Sequence, residues 1–76
     1  MLHLEFVKKS GDIYVYYYMK RKGDEEFGII EVTSDLTVTI VKKLPDVIGW
    51  LIPHAVKEIK RQIADNNPMT TTVAWY

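Results

Sequence analysis

Apolar and polar residues alternate from the second residue onward. Leu2, Leu4 and Phe6 fall on one side and His3, Glu5 and Val7 on the other, the period of a half-buried strand. Lys9-Ser10-Gly11-Asp12 carries a turn signal, with Gly11 free to adopt positive φ. Residues 12–20, Asp-Ile-Tyr-Val-Tyr-Tyr-Tyr-Met-Lys, hold the β-branched and aromatic side chains that fit a pleated surface. A two-residue loop at Ser10-Gly11 pairs Phe6 with Val15 and Leu4 with Tyr17. That register predicts Leu2, Leu4, Phe6, Ile13, Val15, Tyr17 and Met19 on one face.

A second turn at Lys22-Gly23-Asp24-Glu25 leads into a strand over 26–33, with Gly28, Ile30 and Val32 expected beside Val15 and Tyr17. After Thr33-Ser34-Asp35, a two-residue loop would align Thr37 and Thr39 with Ile30. A three-residue loop aligns Leu36, Val38 and Ile40 instead, and is preferred because a slip by one residue moves that apolar set off the core.

The period then changes. Lys42-Lys43-Leu44-Pro45-Asp46 reads as a linker in which Asp46 can cap a helix. Ile52, Val56, Ile59 and Ile63 form an apolar helical stripe, with His54, Lys57, Glu58, Arg61 and Asp65 opposite. Pro53 would clash with the carbonyl of Gly49 inside a helix, so either the helix kinks there or it starts at Pro53 after a short turn of helix at 46–51. Asn66-Asn67-Pro68 ends the helix. Residues 69–76 are β-prone and are expected as a fifth strand along a sheet edge, docked by Trp75 and Tyr76; a free tail is the alternative. The expected fold is a single α+β domain over residues 1–76, ordered β-β-β-β-α-β. Four to five antiparallel strands carry one long helix on one face.

One helix covers one face of a sheet. The aliphatic face, which includes Leu2, Leu4, Phe6, Ile13, Val15, Met19, Ile30, Val32, Leu36, Val38 and Ile40, is the natural choice. Tyr14, Tyr16, Tyr18, Phe27 and Ile29 are then left to water, and apolar patches of that kind mark interaction sites. The competing reading is structural, because strand tyrosines stabilise cross-strand pairs while their hydroxyls stay wet. The expected interaction surface is Tyr14, Tyr16, Tyr18, Phe27 and Ile29, together with Trp75 and Tyr76. Its expected occupant is another protein or a second copy in a homodimer.

Composition narrows the functions. Ten basic and ten acidic residues cancel, so the chain lacks the net field of a nonspecific nucleic-acid or membrane binder. There is no cysteine, hence no disulfide or thiolate metal site. Nothing approaches the run of about 20 apolar residues that crosses a bilayer, and the amino-terminal stretch does not read as a secretion signal, so a cytoplasmic location is expected.

Candidate chemistry is sparse. His3 and Glu5 share a strand face and could touch one metal, but two ligands do not close a site and no third is signalled. His54 reads as a surface residue. Ser10 and Ser34 lie in turns without a nucleophile motif, and no phosphate loop or calcium loop is present. The expectation is a noncatalytic protein without a cofactor.

A single-stranded nucleic-acid binder is the runner-up. Lys20, Arg21, Lys22, Lys42 and Lys43 gather at one end of the sheet and could hold phosphates beside base-stacking tyrosines. Asp24, Glu25 and Glu26 lie at that same end and oppose it.

Finally, Phe27-Gly28-Ile29-Ile30-Glu31-Val32, His54-Ala55-Val56 and Val73-Ala74-Trp75-Tyr76 together resemble small uncharacterised bacterial proteins of similar length that end in Val-Ala-Trp-Tyr. The resemblance implies a bacterial, cytoplasmic origin and nominates no catalytic residue.

Overall fold

The structure, a computed structural model, describes residues 2–44 and 51–73. Strands β1 (Leu2–Ser10), β2 (Ile13–Met19), β3 (Gly28–Thr33) and β4 (Val38–Lys42) precede helix α1 (Leu51–Ala64), and β5 (Thr71–Val73) follows it. The five strands form one antiparallel sheet in the order β4-β3-β2-β1-β5. This is the expected α+β architecture and element order. The expected fifth strand lies at the edge beside β1, pairing Leu2 with Val73 and Leu4 with Thr71. Trp75 and Tyr76 lie outside the described residues.

The turns follow local chemistry. Gly11, at φ +62°, stands in a two-residue Gly11-Asp12 loop closed by the pair Ser10–Ile13. Ser34, Asp35 and Leu36 make a three-residue loop, one residue later than the expected turn at Thr33-Ser34-Asp35: Leu36 N–H donates to the Thr33 carbonyl and Thr33 N–H to the Thr37 carbonyl. Leu36 sits at φ 69°, in the left-handed position that such loops require. Ile30 therefore pairs with Ile40 and Val32 with Val38, whereas Leu36, expected on the core face with Val38 and Ile40, is taken up by the turn and is 37% exposed. Helix α1 closes with Asn66 at φ 54°. There Asn66 N–H donates to the Ile63 carbonyl and Asn67 N–H to that of Gln62, the paired bonds of a left-handed helix stop.

Two further expectations are corrected. The first concerns β2. Next to the turn, Lys9 pairs with Tyr14 and Lys8 with Val15; beyond Val7, Phe6 pairs with Tyr16 and Leu4 with Tyr18. One extra residue at Val7, a β-bulge, changes which side chains share a face. Leu2, Leu4 and Phe6 thus lie with Tyr14, Tyr16 and Tyr18, under the helix. Tyr14 is 5% exposed, and Tyr16 and Tyr18 are fully buried. They join Leu2, Leu4, Ile30, Val32, Leu44, Ala55, Ile59 and Ile63 in the core. The three tyrosines expected on an open surface are the centre of the protein. Ile13, Val15, Tyr17 and Met19 lie on the face away from α1, where Val15 and Met19 are still buried among their neighbours.

The second correction concerns the helix stripe. Ala55, Ile59, Gln62 and Ile63 are buried, while Ile52 and Val56 are only half-buried. Pro53 is the third residue of Leu51–Ala64. Most of the expected turn of helix at 46–51 lies outside the described residues.

Buried phenols need partners, and the core supplies them. The Tyr16 hydroxyl donates to Gln62 Oε1 at 2.7 Å, and that oxygen also accepts Met69 N–H at 3.0 Å. The Tyr18 hydroxyl accepts Leu44 N–H at 2.8 Å. Phe6 packs against Tyr16 with ring centroids 5.3 Å apart, and Lys9 Nζ lies 5.1 Å from the centre of the Tyr14 ring at the sheet margin.

Candidate functional site

With the tyrosine plane closed by α1, the open face of the sheet is its reverse. Strand pairing fixes its layout. One row runs Glu5–Tyr17–Ile29–Lys42 across β1, β2, β3 and β4. The next runs Lys8–Val15–Glu31–Thr39. On the far side of the first row, Thr72, His3 and Met19 continue the face across β5, β1 and β2.

The centre of this face is aromatic. Tyr17 and Phe27 stack with centroids 4.3 Å apart and planes 25° from parallel. Lys42 Nζ sits 4.5 Å from the centre of the Phe27 ring, a cation over the negative face of a π-system. Tyr17, Phe27, Ile29 and Ile13 are half-buried, and no described element lies over them. Phe27 and Ile29 therefore lie on the sheet face turned away from α1, half-buried rather than left to water. Tyr17, assigned to the core by the sequence pattern, belongs beside them. The signal that would have found it is the extra residue in β1, which leaves no trace in β-propensity.

Charge surrounds this apolar centre evenly. Glu5 and Glu31 face Lys8 and Lys42 across two adjacent rows. The basic end of the sheet is mixed too: Lys20 lines one shallow hollow with Asp24, Glu25 and Glu26, and Lys42 and Lys43 line another with Glu25 and Glu26. The acidic hairpin thus meets the basic residues where strand directions placed both.

His3 is 7% exposed, and its Nδ1 has no hydrogen-bond partner among the described residues. No three His, Asp or Glu side chains among the described residues gather as a metal site would require. On α1, the Arg61 guanidinium bonds Glu58 and holds its carboxyl below the usual carboxylate range; Gln62 Nε2 adds a second donor. Arg61 also pairs with Asp65 at 3.0 Å. These groups sit on the helix, away from the open sheet face, and tie Gln62 to the helix surface.

The fold defines a small α+β domain: an antiparallel sheet with a helix on one face and a half-buried aromatic cluster on the other. No described helix is long and apolar enough to cross a membrane. Comparison with protein-family models, with curated proteins and with solved structures finds no match.

Proposed function

We propose that this chain is a small noncatalytic interaction module that binds another protein through the sheet face turned away from α1. The observation that carries the reading is the Tyr17–Phe27 stack, half-buried beside Ile29 and covered by no described element. Stacked rings lose little side-chain freedom when a partner arrives, so their remaining exposed area is available for binding. Around them Glu5, Glu31, Lys8 and Lys42 give an apolar centre with a charged rim, the usual anatomy of a protein interface.

Lys42 above Phe27 favours the second reading, a single-stranded nucleic acid with bases stacked on the rings. The carboxylates of Glu5 and Glu31 on the same face oppose a phosphate backbone, so a protein partner is preferred. A bacterial, cytoplasmic setting accords with the cysteine-free sequence and its resemblance to small bacterial proteins.

Affinity capture from the source cell tests the proposal, using wild type, Tyr17→Ser and Ile29→Ser. The expected result is a defined protein retained by wild type and lost with both variants, each still folded by circular dichroism. Identical capture by all three refutes the reading. Oligonucleotide titration at two salt concentrations distinguishes the alternative, which requires binding that weakens steeply with salt.

A further inference from the structure

Strand β4 is the outer strand of the sheet on the side away from β1, and no described strand pairs with its far side. Edge strands are commonly protected by charge, proline or brevity. Residues 37–41, Thr-Val-Thr-Ile-Val, contain neither charge nor proline. Ile40 is 39% exposed and Val41 52% exposed.

The hydrogen bond from Thr33 N–H to the Thr37 carbonyl fixes the phase of the ladder. In an antiparallel ladder, residues alternate between bonding one neighbour and turning away from it. Thr37 and Thr39 therefore bond β3, and the N–H and carbonyl groups of Val38 and Ile40 point outward. The register shift at Val41 ends this regular stretch.

We infer that β4 pairs with β4 of a second copy of this chain, antiparallel about a two-fold axis at Thr39. The axis sets Val38 opposite Ile40 of the second copy and Ile40 opposite Val38, satisfying all four outward groups of these residues in each strand. The strand is self-complementary in this register. Val38 and Ile40 of both copies share the helix side, continuous with the hollow that Ile40 forms with Lys43, Ile52 and Pro53. The two copies of Thr39 meet on the other side. Lys42 and its equivalent lie six residues apart along the paired strands. That is about 20 Å at the usual rise per residue, well beyond the screening length of about 8 Å at physiological salt. A basic strand end is thus no obstacle to self-pairing, and the short flat stretch implies a weak, concentration-dependent dimer. This proposal uses the sheet edge and is independent of the Tyr17–Phe27 face.

Sedimentation over a concentration series tests it. Wild type is expected to move from the 8.9 kDa monomer towards twice that mass as concentration rises. Thr39→Lys places like charges against each other at the axis, while Glu31, paired with Thr39 in the monomer, accommodates the new cation. This variant should stay monomeric, and mixing it with Thr39→Glu should restore the dimer. Hydrogen exchange on wild type gives a readout that needs no variant: the Val38 and Ile40 amides should exchange quickly in dilute protein and slow several-fold on concentration. A wild type that remains 8.9 kDa throughout overturns the inference. So does a dimer that Thr39→Lys leaves intact, or one that forms without protecting those two amides.

Discussion

Replacing Tyr16 with phenylalanine removes one oxygen from the middle of the protein. In the structure that hydroxyl donates to Gln62 Oε1 at 2.7 Å, with Tyr16 fully buried and Gln62 1% exposed. Gln62 Oε1 keeps Met69 N–H as a donor, so the variant leaves no orphaned acceptor. The cost should then be that of one ordinary hydrogen bond, about 1 kcal/mol. In a domain this small, that lowers Tm by about 4–8 °C. Gln62→Leu is harsher, because the Tyr16 hydroxyl and Met69 N–H both lose their acceptor; about 2–4 kcal/mol is expected. The double variant should cost less than the sum by about 1 kcal/mol, since no phenol is then left unsatisfied. Urea unfolding of the four proteins closes the cycle. A Tyr16→Phe protein that melts with wild type, or costs that simply add, would refute the placement of Tyr16 against Gln62. That is the outcome a water-facing tyrosine would give.

Two further outcomes follow from the same core. A Cβ on Gly28 would collide with Cε1 and Cζ of the Tyr18 ring, which is buried and held by Leu44 N–H; Gly28→Ala should cost about 3 kcal/mol, the upper end of overpacking. A urea midpoint equal to wild type would mean that the ring can move aside. Burial, reinforced by the negative charge of Glu58, pushes the Tyr16 phenol up to about 12 from 10.0. Between those values the folded chain keeps a proton that the unfolded chain has lost. The contribution to stability is therefore complete below pH 10 and is lost as pH rises towards 12. Denaturation midpoints across that range should fall more steeply for wild type than for Tyr16→Phe, and equal slopes would contradict the assignment.

Much of the fold was legible because its signals are local. Alternation and β-branched or aromatic content marked the strands, the parity of a three-residue loop kept Val38 and Ile40 on the side of Ile30, and Asn66 marked the end of the helix. The orientation of β2 was not legible, for two physical reasons. A bulge at Val7 adds one residue to β1, and a single residue reverses every face relation beyond it. Composition gave no correction, because both faces of β2 are apolar: Ile13, Val15 and Met19 on one side, three tyrosines on the other. Counting aliphatic carbons favours the wrong side. What decides is whether a buried phenol finds a partner, and those partners, Gln62 and Leu44, lie 46 and 26 residues away in sequence. Gln62 was missed for the same reason, since a polar residue enters a helix stripe only when something across the core answers it.

The site inherits the same dependence. Were the bulge absent, continuing the register beside the turn would pair Phe6 with Tyr17 and leave Tyr16 to water. With it, the even-numbered tyrosines fill the core and Tyr17 is the one that stacks on Phe27 in the open. Tyr17 has no phenol network to maintain under the helix, so the open face can change by substitution at Tyr17, Phe27 or Ile29 at little cost to the core. The reverse does not hold. Any change at Tyr16 breaks its hydrogen bond to Gln62 of α1, and any change at Tyr18 breaks its bond with Leu44 N–H. Under the proposed function, loss of binding without loss of fold should come from half-buried Tyr17, whereas Val15 and Met19 on the same side of β2 are buried and contribute to stability.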